Sequence, residues 1–228
     1  MRLADALRRL PGSGILLSLL ARTGAARMFW RYRHLIDGSY RQAPPATDVL
    51  DPHREQLWSL IAPFSPQSLL DVGCGDGANL ALFARKAPAV RLDGVDLNPL
   101  ALAITRRRII DGGGTLGTLQ RGSADKLPVA TASVDVALSD AVFMYLPPAT
   151  AIAALREMRR VATRAIVVHT FSTDTLPTSA VIGGNWVHQL PTLIALAIPA
   201  ASISHHPSRA GTAPGQWREF GTVCVVTW

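Results

Sequence analysis

Apolar positions along residues 67–171 alternate between two spacings, and this alternation predicts the elements of the fold. Short apolar runs that are typical of buried strands lie at residues 67–72, 90–97, 117–122, 133–140 and 164–171. Apolar residues recur every three or four positions, as in amphipathic helices, at residues 78–87, 99–110 and 148–162. Strands that alternate with helices in this way predict βαβ units and a parallel sheet covered on both faces.

Both ends of the sequence depart from this alternation. Residues 1–43 predict broken helical pieces that form an arm or lid, and the adjacent prolines 44 and 45 predict a linker into the main domain, residues 44–228. Segment 172–200 predicts a loop and an apolar helix that cover the substrate site. Strands at 202–206 and 222–228, with no helix predicted between them, favour a closing antiparallel hairpin. The predicted fold is therefore an α/β, doubly wound, mostly parallel seven-stranded sheet with a C-terminal antiparallel hairpin and an N-terminal helical arm.

The net charge of +7 lies almost entirely in the arm, because residues 1–41 contain eight arginines and two aspartates, a net +6. Such an arm could touch RNA, an anionic membrane surface or an acidic substrate, or could be a solvated amphipathic helix. Cys74 and Cys224 have no metal-type spacing, which favours a reducing compartment. No apolar run reaches the roughly 18 residues of a membrane span. We expect a cytoplasmic protein without a transmembrane segment.

The stretch "LLDVGCGDGANL", residues 69–80, places three glycines within five positions directly after the first predicted strand. Glycine inside an element costs roughly 0.5–1 kcal/mol relative to alanine, so the cluster indicates a tight turn or a ligand that approaches the backbone. In doubly wound sheets, ligands bind beyond the carboxyl ends of the strands, where a helix N-terminus adds N–H donors. Asp96 ends the second predicted strand, where a carboxylate can accept both hydroxyls of a ribose. The pattern predicts a nucleoside-containing cofactor.

Two cofactor classes compete for this pattern. The dinucleotide fingerprint fits "GCGDGA", residues 73–78, literally. Against it, the chain leaves no room for a separate substrate domain and has no Tyr-x-x-x-Lys pair of the short-chain reductase type. Asp71 would also be unfavourable beside a pyrophosphate, whereas it would favour a cationic ligand such as S-adenosylmethionine (SAM), whose sulfonium and amino groups are positive.

Three blocks in the expected order resemble the class I SAM-dependent methyltransferase family, in particular its small-molecule branch. "LLDVGCGDGANL" resembles the first motif of that family, "GVDLNPLAL" the second, and "GSADKLPVATASVDVALSDAVFMYL" the block that follows. The resemblance covers about half of the chain, from residue 53 to residue 171. The sequence departs from the family at Tyr145, where a histidine is common, and in "VATRAIVV", which lacks a Pro-Gly-Gly turn.

The resemblance implies a set of cofactor contacts. Asp71 and the glycines would line the methionine and ribose portion, Asp96 would hold the ribose hydroxyls, and strand four would end at the methionine moiety. The implied cofactor-binding residues are Asp71, Gly73, Gly75, Gly77, Asp96, Leu97, Ala124, Asp125 and Ser139. The departure at Tyr145 leaves the catalytic assignment open.

Three residues are candidates for a role in catalysis. Asp140 ends the fourth predicted strand and is a candidate base, and Tyr145 is a candidate for orienting the substrate. His169 lies near the carboxyl end of the fifth strand, where it is either catalytic or a hydrogen-bonded histidine of the rim. No metal site is predicted, because the neighbouring His205 and His206 would point to opposite faces of a strand.

The sequence therefore predicts SAM-dependent methyl transfer to an oxygen, nitrogen or carbon nucleophile of a small molecule, as in a biosynthetic tailoring step. The expected product of the cofactor is S-adenosylhomocysteine (SAH). Two alternatives remain open: a SAM-binding cyclase or regulatory protein that does not methylate, and an RNA methyltransferase suggested only by the basic arm. The sequence does not fix the acceptor, the methylated atom or the oligomeric state.

Overall fold

The structure is a computed structural model that describes residues 52–210 and 215–228. The predicted arm, residues 1–43, and the first residues of the domain lie outside the described residues. The elements, in chain order, are α1 (Pro52–Ile61), β1 (Ser68–Val72), α2 (Ala78–Lys86), β2 (Arg91–Asp96), α3 (Pro99–Asp111), β3 (Thr115–Arg121), β4 (Val134–Asp140), α4 (Pro148–Val161), β5 (Ala162–Phe171), β6 (Ala180–Ile182), β7 (Asn185–Val187), α5 (Leu190–Ala197), β8 (Ser202–Pro207), α6 (Gln216–Phe220) and β9 (Gly221–Thr227).

Seven strands form one sheet in the order β3-β2-β1-β4-β5-β9-β8. β1 to β5 run parallel, and β9 pairs antiparallel with both β5 and β8. β1 and β4 are neighbours although β2 and β3 intervene in the sequence, so the strand order reverses at β1. A reversal of this kind opens a crevice at the carboxyl ends of the strands, which is where ligands bind in open α/β sheets. The predicted α/β fold is confirmed.

The hydrophobic core consists of two layers, one on each face of the sheet. One layer packs α4 and α5 against the sheet, and the other packs α1, α2 and α3 against the opposite face. The central strands are buried along nearly their whole length, as their near-continuous apolar sequences predict. This rigid centre fixes the positions of the side chains that follow the strands.

Two regions contain more structure than the sequence predicts. Segment 172–200 holds the apolar helix α5, as predicted, and also the antiparallel pair β6–β7. The strands of the closing hairpin are also as predicted, but the short helix α6 precedes β9, where no helix is predicted. Both additions are short, and Gly183 and Gly184 between β6 and β7 have the positive φ values of a turn. Elements of three to five residues leave too little periodicity to be identified.

Among the helices of residues 52–210 and 215–228, none combines the length and the apolar character needed to cross a membrane. Cys74 and Cys224 are both buried free thiols.

Candidate active site

The glycine-rich loop between β1 and α2 has the backbone geometry that requires glycine. Gly73, Gly75 and Gly77 have φ values of 78°, 56° and 79°, in the left-handed region that other residues rarely adopt. A Cβ on Gly77 would lie 2.8 Å from the backbone of Thr105 in α3, and one on Gly73 would overlap the side chain of Val142. The glycines therefore allow both the turn and the close packing of the loop against its neighbours.

Asp96 ends β2 and holds this loop in place. Its Oδ2 accepts a hydrogen bond from the Gly75 N–H at 2.9 Å, and its Oδ1 accepts one from the Asn98 N–H at 2.8 Å. Burial raises the pKa of Asp96, and these backbone N–H donors offset part of that rise. A carboxylate offers about four acceptor positions, so each oxygen retains capacity for a hydroxyl of a ligand.

Asp71, near the end of β1, is a buried carboxyl group whose hydrogen bonding is incomplete. It is 1% exposed, and its Oδ1 has no hydrogen-bond partner in the described part of the chain. The pKa of Asp71 is raised to about 8. Burial is the main cause, and the nearby carboxylate of Asp140 contributes to the rise. The Asn79 amide, from the first turn of α2, donates to Asp140 at 3.0 Å and lies 3.5 Å from Asp71. This corner of the site therefore has an excess of acceptors, which favours a cationic ligand.

Asp140, at the end of β4, lies between two histidines from different elements. Its Oδ1 is 2.6 Å from Nδ1 of His169 in β5, and its Oδ2 is 3.2 Å from Nε2 of His53 in α1. Burial alone would raise the pKa of Asp140, but the hydrogen bonds from His169 and His53 outweigh burial and hold the pKa well below its usual range. The three side chains form what we call the His–Asp–His cluster: His53, Asp140 and His169.

The second nitrogen of His169 and the face of its ring are also occupied. Nε2 lies 2.7 Å from the Ser208 hydroxyl, and the Trp217 ring stacks on the imidazole with centroids 4.5 Å apart. The His169 residue is 1% exposed, whereas the His53 side chain is 13% exposed. His53 is therefore the more accessible histidine, and His169 is fixed between the carboxylate and the serine.

Gln56 fixes α1, and with it His53, over the carboxyl ends of the strands. The Gln56 side chain donates to the Pro207 carbonyl at 2.8 Å and accepts from the Arg209 N–H at 2.9 Å. Ser208 lies between these two residues, so the same short segment holds both α1 and His169. The His–Asp–His cluster is thus closed by residues that are far apart in the sequence.

The remaining predicted residues take varied positions. Ser139 is fully buried, and its hydroxyl donates to the Val72 carbonyl, so its side chain joins β4 to β1. Asp125 accepts a hydrogen bond from the Ser123 hydroxyl in the turn after β3. Tyr145 ends a short 3-10 turn and packs against a small apolar cluster that also contains Trp217. Leu97 is half-buried beside Asp96, and Ala124 is buried.

The structure thus brings Asp71, Asp96 and the glycine loop together at one end of the crevice, and Asp140 and His169 at the other. The sequence reasoning missed His53, Asn79, Ser208 and Trp217, which complete the second end. Asn79 could have been found from its place in the first turn after the glycines. The other three depend on contacts between distant segments, which one sequence does not reveal.

Part of the chain is similar in sequence to known methyltransferases. Residues 69–164 match the family described as "Methyltransferase domain". Ribosomal RNA small subunit methyltransferase C of Escherichia coli K12 is 32% identical over 91 residues, which are 39% of this chain and 26% of that protein. The chain thus spans about a quarter of the length of the curated relatives it matches.

Two solved structures share the fold over most of the chain. Magnesium protoporphyrin IX methyltransferase from Synechocystis PCC 6803, with bound SAH, superposes with a TM-score of 0.64 at 12% identity, covering 89% of this chain and 98% of that one. The cyclase SpnF superposes with a TM-score of 0.63 at 16% identity, covering 89% and 95%. Identities this low establish the fold alone.

Proposed function

We propose that this protein transfers a methyl group from SAM to an oxygen, nitrogen or carbon nucleophile of a small molecule, because residues 69–164 match the family described as "Methyltransferase domain". The observation that carries the proposal is a pair of carboxyl groups on adjacent strand ends, of which Asp71 is buried and Asp96 is partly buried. Asp96 is oriented by the amide of the glycine loop, and Asp71 has an unpartnered oxygen.

These residues fit the two ends of the cofactor. The free acceptor positions of Asp96 would receive the ribose hydroxyls, beside Leu97 and the turn at Ala124 and Asp125 that would border the adenine. Asp71 would face the cationic methionine portion, where the positive charge of a ligand would stabilise the ionised carboxyl group. When bound, SAM would supply an electrophilic methyl group on its sulfonium, and transfer of that methyl group to the acceptor would release SAH.

The residues at the other end of the crevice would act on the acceptor. Asp140 and Asn79 join the two ends, since the Asn79 amide lies against both Asp71 and Asp140. The His–Asp–His cluster would orient the nucleophile and assist the loss of its proton, with His53 as the accessible member and His169 as a positioning residue. Tyr145 would border the acceptor through the apolar cluster around Trp217.

A second candidate acceptor is RNA, because the curated relative with 32% identity is named as a ribosomal RNA methyltransferase. That identity covers 39% of this chain, so it supports the reaction class more strongly than it supports the acceptor. A third candidate activity is cyclisation without methyl transfer, because the cyclase SpnF has the same fold.

The experiment that tests the proposal follows the labelled methyl group. The full chain is incubated with methyl-labelled SAM and, separately, with a small-molecule extract and an RNA extract of the source cells. We expect label in the small-molecule extract, and expect Asp96→Ala to lower it strongly at SAM concentrations that just saturate the wild type, while His206→Gln, on the exposed edge strand β8, retains it. Label found only in the RNA extract would show that the acceptor is RNA rather than a small molecule. SAM binding with no label in either extract would contradict methyl transfer.

A further inference from the structure

The His–Asp–His cluster has the ligand set of a metal centre. Nε2 or Nδ1 of each histidine and a carboxylate oxygen of Asp140 lie within 4.8 Å of one another. The three residues come from α1, β4 and β5, so three separately anchored elements bring their donor atoms together. Two imidazoles and one carboxylate are a donor set that suits Zn²⁺, Fe²⁺ and related divalent ions and leaves coordination positions open.

The spacing of the two imidazoles also fits one ion. Their ring centroids lie 5.2 Å apart with an angle of 30° between the planes. With metal–nitrogen distances of about 2.0–2.1 Å, two imidazoles on one tetrahedral ion have centroids about 5 Å apart. The rings could share an ion with the Asp140 carboxylate once that carboxylate, now 2.6 Å from Nδ1 of His169, moves to the distance of about 3.3 Å that separates two ligands of a tetrahedral ion.

The surroundings of the cluster resemble the outer shell of a metal site. A ligating histidine usually donates its other ring N–H to an acceptor, and Nε2 of His169 lies 2.7 Å from the Ser208 hydroxyl. The Asn79 amide donates to the Asp140 carboxylate at 3.0 Å, and Trp217 covers the His169 ring. These contacts hold the ligands in position.

We propose that Nε2 of His53, the Asp140 carboxylate and Nδ1 of His169 bind one divalent transition-metal ion at the acceptor end of the crevice. The ion would coordinate an oxygen or nitrogen of the acceptor and orient it, and with the ion bound it is the ion rather than His53 that would promote loss of the acceptor's proton. This role rests on the proposed methyl transfer, whereas the binding of the ion does not. Such a centre could not be predicted from the sequence, because its ligands are separated by 87 and 29 positions.

The test measures metal binding directly. The untagged full chain is treated with a chelator and titrated with Zn²⁺ against a chromogenic competitor, and the Co²⁺ form is examined for the visible absorption of a bound ion. We expect one ion per chain. His53→Gln and Asp140→Asn should weaken binding by more than the roughly 10–100-fold that the loss of an outer-shell partner costs, and Ser208→Ala should fall within that range.

The matched control is His206→Gln, because His206 is a histidine of the edge strand β8 that contacts only Ser204 among the described hydrogen bonds. It should bind Zn²⁺ as the wild type does. Far-UV circular dichroism and SAM affinity identify variants that fail to fold, and His53→Gln is the informative variant if Asp140→Asn does not fold. Wild-type protein that binds Zn²⁺ no more tightly than His53→Gln would overturn the proposal. Zn²⁺ binding without methyl transfer would leave the metal site standing and reject the proposed function instead.

Discussion

Replacement of Asp96 by alanine should weaken SAM binding by about a hundredfold. Each oxygen of Asp96 already accepts one backbone N–H and retains capacity for one ribose hydroxyl. Hydrogen bonds to a charged group contribute about 1.5–3 kcal/mol each, so the loss of two amounts to about 3 kcal/mol. Since each 1.4 kcal/mol is a factor of ten, this corresponds to about a hundredfold in affinity. The released glycine loop would add to the loss.

The assay is isothermal titration calorimetry with SAM and SAH, and Asp93→Ala is the matched control. Asp93 lies on the same strand, is also buried, and likewise holds two partners within the protein, the Thr118 N–H and the Arg91 guanidinium. Both variants should lower the free energy of unfolding in urea, but only Asp96→Ala should lower the affinity for SAM. Equal affinities of the two variants for SAM would refute the placement of the ribose site.

Three further predictions follow from other parts of the molecule. Burial holds the pKa of Asp71 at about 8 in the folded protein, against 3.8 ordinarily, so the free energy of unfolding of ligand-free, chelator-treated protein should fall as pH rises from about 4 to 8. Asp71→Asn should remove that fall and also weaken SAM binding. Burial lowers the pKa of His188, which bonds the Phe143 carbonyl and the Ser179 hydroxyl, so wild-type stability should decline as pH falls below about 6.5. His188→Ala should lose about 2–4 kcal/mol at pH 8 and show less of that decline. Deletion of residues 1–41, which lie outside the described structure, should retain SAM binding but impair turnover.

Each of these predictions has an outcome that contradicts it. Parallel pH–stability curves for Asp71→Asn and the wild type, from urea titrations, would show that the carboxyl group of Asp71 does not carry a raised pKa. If the free energy of unfolding of His188→Ala still declines below pH 6.5 as that of the wild type does, another titratable group causes the decline. Insoluble or unfolded protein after deletion of residues 1–41 would make the arm structural, and unchanged turnover would remove its role as a lid.

Much of the fold could be predicted because its signals are local. The buried parallel strands are continuous apolar runs, and α4 shows clear amphipathic spacing between its proline start and Val161. The glycine loop and Asp96 could be located for the same reason, since the turn and the strand end are set by neighbouring residues. The strand register could not be predicted from the sequence, and neither could the pair β6–β7 or the helix α6. All of them depend on packing against distant segments.

The acceptor end of the site shows the limit of a single sequence. Asp140 and His169 were identified as strand-end residues, but their partnership through a 2.6 Å hydrogen bond was not. His53 has no local signal at all, because its place in the cluster depends on the angle at which α1 crosses the strand ends. The position of α1 depends in part on Gln56, which pairs with residues about 150 positions away.

The two hydrogen bonds of Gln56 have a consequence for biosynthesis. The loop and strand ends that would receive the nucleoside lie within residues 69–125, a compact βαβ region that can form soon after it leaves the ribosome. The acceptor end requires Pro207 and Arg209 to meet α1, and Trp217 to cover His169, so its closure must wait until translation passes that point. Ribosome-bound chains that end shortly after β5 should therefore protect β1 and β2 from hydrogen exchange, while α1 should exchange faster than it does in the complete chain. Catalytic competence would thus be the last property that the nascent chain acquires.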